Sequence, residues 1–257
     1  MRSDPGRTMI PAMTWLRGVW AALVIVGALG GPAQAQEKVD LLLVLAVDSS
    51  GSVNTQEFAL QFQGYIEAFR NPQVIDALSN GEHGSIAVCL FIWAGDRRDG
   101  VRLIADWHLV NGPESAKAFT DAFLRTPRFM LRDGTSLSNA IAYAIELIEK
   151  APFKAERKVI DVSGDGTNNV GFSPTIARDE AVEKGITING LAILTDYPDL
   201  DAYYGENVVG GPGAFVISAK NFDAFSAAIL SKLVREISGL APDGMGSNPE
   251  LAADGGR

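Results

Sequence analysis

Apolar residues fall along this chain in two alternating rhythms: unbroken runs, and stripes that recur every three or four positions. The runs are Val39 to Val47, Ser85 to Trp93, Lys158 to Val162, Thr187 to Leu194 and Ala214 to Ser218. Their continuous hydrophobicity predicts strands buried on both faces, as in a parallel sheet. Between them lie Thr55 to Phe69, with Phe58, Leu60, Phe62, Ile66 and Phe69 apolar, and Leu137 to Glu149, with Ile141, Ala144, Ile145 and Ile148 apolar. Threes and fours mean helices with one core-facing stripe. Asn54 or Thr55 is the expected N-cap of the first, with Glu57 in its opening turn. Further helices are predicted from Pro113 to about Leu124, Pro174 to Lys184 and Asn221 to Ile237. The turn Gly95 to Gly100 joins the second run to Val101–Val110, so that pair reads as a hairpin with one antiparallel edge strand. The whole predicts an α/β fold: a doubly wound, mostly parallel sheet of six strands, one antiparallel at the edge, with helices on both faces.

The first 35 residues break this pattern. Arg2, Arg7 and Arg17 precede the apolar run Val19 to Leu29, and Ala33-Gln34-Ala35 follows with small residues at the spacing signal peptidase requires. Residues 1–35 are therefore expected to be a secretory signal cleaved after Ala35, with Met13 a second candidate start. The run is shorter than the roughly 20 residues a membrane span needs. Residues 36–240 form the expected domain. Residues 241–257, rich in Gly, Pro and Asp, form an expected disordered tail.

Composition bounds the partners. The 257 residues are 47% hydrophobic and 21% charged, ordinary for a globular domain. Net charge is -9. Cleavage after Ala35 would remove Arg2, Arg7, Arg17 and Asp4 from 22 basic and 31 acidic residues, leaving 19 and 30. Such a chain repels phosphate backbones, so nucleic acid is not an expected partner. The single cysteine, Cys89, sits inside an apolar run and reads as a small buried hydrophobe.

The candidate chemistry stands where the first run ends, at Asp48-Ser49-Ser50-Gly51-Ser52. Alternation aims Asp48, Ser50 and Ser52 the same way, a cluster of hard oxygens suited to Mg²⁺ or Ca²⁺. In a doubly wound sheet, ligands bind beyond the carboxyl ends of the strands where strand order reverses. Two other segments are expected there: Asp133-Gly134-Thr135-Ser136, before the helix from Leu137, and Ser163-Gly164-Asp165-Gly166-Thr167-Asn168-Asn169, after the fourth run.

Asp-x-Ser-x-Ser, a later Thr and a later Asp, in this order, resemble the metal-ion-dependent adhesion site (MIDAS) of von Willebrand factor A domains. The resemblance covers Val39 to Gly239 and implies that family's Rossmann-like fold. The chain looks most similar overall to exported bacterial proteins of this type without an assigned role (DUF1194-type). By that resemblance the metal residues are Asp48, Ser50, Ser52, Thr135 and Asp165. Ser50, Ser52 and Thr135 would ligate directly; Asp48 and Asp165 would supply charge, directly or through water. The expected ion is Mg²⁺, with Mn²⁺ or Ca²⁺ the alternatives. The resemblance also implies an open coordination position for an Asp or Glu of a protein partner. It implies a secreted or periplasmic binding module rather than an enzyme. A departure from the family is Gly164, where Thr commonly precedes the Asp-Gly step.

Rival readings are a metal-dependent hydrolase, an assembly factor for an exported enzyme, and an ion held only for stability. No Gly-x-Ser-x-Gly elbow, P-loop or His-Glu-x-x-His motif is present, and His83 and His108 lie far in sequence from the serine turn. Asp161-x-Ser163-x-Asp165-Gly166 begins like an EF-hand loop, but its twelfth position is Phe172 rather than Glu. Asp161 is expected to be a hydrogen-bonded polar residue in a strand or at an edge. The Asp196–Tyr204 segment, with Tyr197, Tyr203 and Tyr204, is expected to be a polar loop or a specificity surface on the metal rim.

Overall fold

A computed structural model of the chain describes residues 36–125, 131 and 133–239. The expected signal and tail lie outside these residues.

The elements in chain order are β1 (Glu37–Lys38), β2 (Leu41–Asp48), α1 (Thr55–Phe69), α2 (Pro72–Leu78), β3 (Ile86–Trp93), β4 (Val101–Val110), α3 (Pro113–Arg125) and α4 (Leu137–Glu149). Then follow β5 (Phe153–Lys154), β6 (Arg157–Gly164), α5 (Pro174–Glu183), β7 (Thr187–Ile193), α6 (Leu200–Asn207), β8 (Val216–Ala219) and α7 (Phe225–Ser238). The main sheet has six strands in the order β4-β3-β2-β6-β7-β8, parallel except for the β3–β4 pair. This is the fold class the hydrophobic rhythm predicts. Strand order reverses at β2, which pairs with β3 on one side and β6 on the other. The three carboxyl ends there are Asp48, Trp93 and Gly164.

All eight residues of β2 are buried. Alternation divides them between two cores. Leu41, Leu43, Leu45 and Val47 pack with Phe58, Tyr65 and Phe69 of α1 and with Phe225, Ile229 and Leu233 of α7. Leu42, Val44 and Ala46 face Ile141, Ala144 and Ile145 of α4 and Ala177 and Ala181 of α5. Burial on both sides holds the register of β2, because a one-residue slip would exchange the two sets of side chains. Asn54 caps α1: its side chain accepts from the Gln56 and Glu57 amides, and the Glu57 carboxylate accepts from the Asn54 amide. That fixes where α1 starts, and so the length of the turn after Asp48.

Four elements were not foreseen. β1 and β5 form a separate two-stranded parallel sheet. The seven-residue α2, opened by Pro72 and capped by Asn71, is too short to show a stripe. The fourth, α6, occupies part of the segment expected to be a loop, and it carries Tyr204 fully into the interior. Asp161 lies in a strand, one of the two places expected for it; β6 is central, and Asp161 is completely buried and paired with Lys232. Among the described residues no helix is long and apolar enough to cross a membrane.

Candidate metal site

Three turns converge beyond the carboxyl ends of β2 and β6, and backbone hydrogen bonds tie them together. The Ser49 amide donates to the Trp93 carbonyl (2.8 Å), and the Gly51 amide to the Asp133 carbonyl (2.9 Å). The Ser136 amide donates to the Ala94 carbonyl (3.0 Å). Asn169 accepts from the Thr135 amide at its Oδ1 (2.8 Å) and donates its own amide to the Thr135 carbonyl (2.9 Å). From below, Gln61 of α1, wholly buried, donates Nε2 to the Asp48 carbonyl at 3.1 Å.

The side chains follow this scaffold. Asp48 Oδ1 accepts from the Ser50 amide at 2.7 Å, while Asp48 Oδ2 is buried without a hydrogen-bond partner. The Ser50 and Ser52 hydroxyls lie 3.2 Å apart, and Ser52 Oγ donates to Asp165 Oδ1 at 2.7 Å. Thr135 is buried beside the same turn, since a Cβ on Gly166 would lie 3.6 Å from its Oγ1. The structure thus brings all five sequence-picked residues together. Asp48 and Ser50 are fully buried and Asp165 nearly so, whereas Ser52 is exposed, so the cluster opens to solvent on the Ser52 side.

The two carboxyls of the cluster repel each other. Burial, with Asp165 adding repulsion, pushes the Asp48 carboxyl up to about 7. Burial also raises that of Asp165, against the Ser52 hydrogen bond, and Asp196 and Glu57 raise it further. Among the described residues, no Lys or Arg is among the main causes of either shift. Two acids and three hydroxyls therefore share one place with no described cation paired to them. All are hard-oxygen donors of the kind Mg²⁺, Mn²⁺ and Ca²⁺ prefer, so the residues fit such an ion. Among the described residues no group of three or more His, Cys, Asp or Glu is placed to hold a metal.

Sequence alone does not single out Gln61 or Trp93, includes Asn169 only as part of the Asp165 segment, and reads Tyr204 as part of a polar loop or rim. The two histidines stay away from the cluster. His83 donates its amide to Asp40 at the opposite end of β2, and His108 packs on Phe119 beside the edge strand. A cleft of about 990 Å³ also lies at that opposite end, between residues such as Asp40, His83, Lys154, Arg157 and Lys184; none of the five cluster residues lines it.

Residues 38–241 match the family profile described as "Protein of unknown function (DUF1194)". The chain belongs to this family. A search of curated protein sequences finds no match. Among solved structures, proximal thread matrix protein 1 from the mussel byssus is similar at 14% identity and a TM-score of 0.55, over 79% of this chain and 48% of that one. The pilus adhesin SpaC from Lactobacillus rhamnosus GG, in its open conformation, aligns at 16% identity and 0.55, over 79% and 30%. A von Willebrand factor type A protein from Catenulispora acidiphila aligns at 15% identity and 0.53, over 77% and 43%. At such identities the likeness is one of fold, and the DUF1194 domain has the von Willebrand factor A fold. This chain spans less than half the length of each of these structures.

Proposed function

We propose that the protein is an exported binding module of the von Willebrand A type, in which Asp48, Ser50, Ser52, Thr135 and Asp165 hold a divalent ion, Mg²⁺ first, and present it to an acidic side chain of a protein partner. The observation that carries this is the fully buried Asp48 carboxyl. One of its oxygens has no partner, a second acid stands beside it, and no cation among the described residues balances either. A buried charge is ordinarily paired or bound to metal. The ion would supply a positive centre for a partner's carboxylate. Ser50, Ser52 and Thr135 would be the direct ligands; Asp48 and Asp165 would supply charge, directly or through water. The exposed Ser52 side is where a partner can approach. Two fold neighbours support this reading. One is an adhesin, and the byssus protein has also been determined with a zinc-occupied MIDAS motif, at 13% identity and a TM-score of 0.50, over 79% of this chain and 49% of that one. Reading residues 1–35 as a cleaved signal supports a location outside the cytoplasm.

Isothermal titration with Mg²⁺ and Mn²⁺ tests the metal. Saturable binding is expected in the unaltered protein and none in Asp48→Ala. Equal heats from the two proteins would refute the assignment. If the metal binds, pull-down with and without chelator tests the partner: capture should need the ion and be competed by an acidic peptide.

A further inference from the structure

Three side chains packed around Gly164 each carry a buried polar atom without a hydrogen-bond partner: Asp48 Oδ2, the Tyr204 hydroxyl and Trp93 Nε1. They come from the ends of β2 and β3 and from α6, and the backbone of Gly164 on β6 lies among them. A Cβ at Gly164 would stand 2.7 Å from Asp48 Oδ2, 2.7 Å from the Tyr204 hydroxyl and 3.3 Å from Trp93 Cζ2. Both oxygens therefore border one small space, which only a residue without a side chain leaves free. One strand over, on β7, a Cβ at Gly190 would stand 2.8 Å from Tyr204 Cδ1. Glycine inside a strand weakens it, and commonly marks a place where another group comes close. Here two neighbouring strands carry glycine where the Tyr204 side chain lies, one under its ring and one at its hydroxyl. Packing alone would need the ring only. A groove that also admits the hydroxyl and ends at an unpaired carboxylate oxygen matches a donor to an acceptor. Tyrosine O–H and indole N–H are both donors at ordinary pH, and an ionised carboxylate is an acceptor only.

We propose that Tyr204, assisted by Trp93, is the positioning residue of the metal site, its hydroxyl holding the inner oxygen of Asp48 through one water, so that the other oxygen and the serine turn keep their orientation toward the ion. This rests on the metal reading above. Groups that orient a ligating carboxylate from behind affect affinity strongly, about 10–100-fold when removed. Tyr204 thereby gives α6 a role in the metal site. It also accounts for Gly164: any side chain there would occupy the space the hydroxyl uses.

The test is Mg²⁺ titration calorimetry on the unaltered protein and on Tyr204→Phe and Trp93→Phe, with melting of each protein in chelator. Tyr204→Phe keeps the ring, so its metal-free melting temperature should stay within a few degrees while Mg²⁺ affinity falls about 10–100-fold. Trp93→Phe should show a smaller loss, and it carries the test if Tyr204→Phe does not fold. Mg²⁺ should change the tryptophan emission of the unaltered protein, and Trp93→Phe should abolish the change. Unaltered Mg²⁺ affinity in Tyr204→Phe would overturn the proposal and leave the metal site standing. A lowered metal-free melting temperature with affinity intact would overturn it equally, as packing only. No Mg²⁺ binding by the unaltered protein would overturn both.

Discussion

Two pairs of buried acids lie close to the sheet, and they are balanced differently. In the layer between the sheet and α7, Asp161 and Glu236 flank Lys232. Its Nζ lies 2.7 Å from Asp161 Oδ1 and 2.6 Å from Glu236 Oε1, with both side chains and the lysine wholly out of solvent. Asn189 adds a hydrogen bond to Glu236 Oε1 at 2.8 Å. Beyond the carboxyl ends of the strands, Asp48 and Asp165 are surrounded by hydroxyls and backbone amides, with no cation among the described residues as a main cause of either shift. In both places one carboxyl is pushed up to about 7. For Asp48 burial is the first cause and Asp165 the second. For Asp161 burial outweighs Lys232, and Glu236 adds to it. The same fold thus builds one acid pair around a cation supplied by its own chain and leaves the other open to a cation from outside. The first is a structural tie between β6, β7 and α7, and the second is, on the reading proposed above, a binding site.

The largest effect should come from removing the internal cation. Lys232→Met leaves Asp161 and Glu236 buried together with nothing between them. Breaking a buried ion pair from one side costs about 3–5 kcal/mol. Urea unfolding should show that loss at neutral pH, with a smaller one in acid, where the two carboxyls can protonate. A loss under 1 kcal/mol at neutral pH would mean that Lys232 does not balance the pair. The matching change at the other pair, Asp48→Asn, should leave metal-free stability unchanged or slightly higher, because it removes a charge that nothing balances.

Next in size is the outside cation, whose effect should depend on pH. A carboxyl raised from 3.8 to about 7 keeps its proton in the folded chain after the unfolded chain has lost it. The stability it contributes is present below about pH 4 and is lost as pH rises through about 7. Both Asp48 and Asp161 act in this sense, so metal-free protein should lose stability over that window. At a hundredfold excess over its Kd, Mg²⁺ should add about 3 kcal/mol at pH 8. It should also flatten the part of the slope due to Asp48 and leave the part due to Asp161. Denaturant unfolding at pH 5 and pH 8, with and without Mg²⁺, reads both effects. An Mg²⁺ effect equal at the two pH values would separate Asp48 from the ion.

What the sequence disclosed about these two regions follows from physical range. The Asp48 turn is local: a buried run that ends in Asp-x-Ser-x-Ser makes its oxygens visible at once, and a known family order pointed to Thr135 and Asp165. The strand rhythm likewise exposed the sheet, because burial on both faces leaves continuous apolar runs. Lys232, Glu236 and Asn189 stayed hidden. On α7 a buried lysine and glutamate look like ordinary residues of a solvent face, and only packing against β6 and β7 removes them from water. Tyr204 was misjudged for a related reason. Its segment has no apolar stripe, so it reads as a polar rim, yet α6 turns Tyr204 fully inward and leaves Tyr197 half-exposed. A signal did exist in the glycines, at the end of β6 (Gly164) and inside β7 (Gly190), where a side chain would meet Tyr204.

That glycine signal gives the third prediction. Gly164→Ala places a methyl group 2.7 Å from Asp48 Oδ2 and from the Tyr204 hydroxyl, closer than van der Waals contact permits. Overpacking of this kind costs about 1–3 kcal/mol. Since Tyr204→Phe removes one of the two crowded oxygens, the double variant should recover part of the loss. Thermal melts of the four proteins in that cycle measure the coupling. Fully additive effects would mean that hydroxyl and methyl do not compete for the same space. At the lysine-centred pair no such cycle should appear on adding Gly164→Ala, because neither Lys232 nor Glu236 borders Gly164.

The smallest expected effect on stability belongs to Ser52→Ala, and its smallness is what makes it informative. Ser52 is exposed, and its one strong contact is the 2.7 Å hydrogen bond to Asp165 Oδ1. Water can replace that donor on the open side, so the metal-free protein should lose about 1 kcal/mol or less. A hydroxyl bound directly to an ion is different, since alanine offers no oxygen and the ion loses a ligand. Mg²⁺ affinity should therefore fall at least tenfold while the metal-free melting temperature barely moves. Asn189→Ala at the other pair should behave in the opposite way: no change in metal affinity, and a stability loss of about 1–3 kcal/mol, because it strips a buried donor from Glu236. If instead Ser52→Ala unfolds the metal-free protein as readily as Asn189→Ala does, the serine turn is a structural tie like the lysine centre, and the distinction between a balanced and an open acid pair fails.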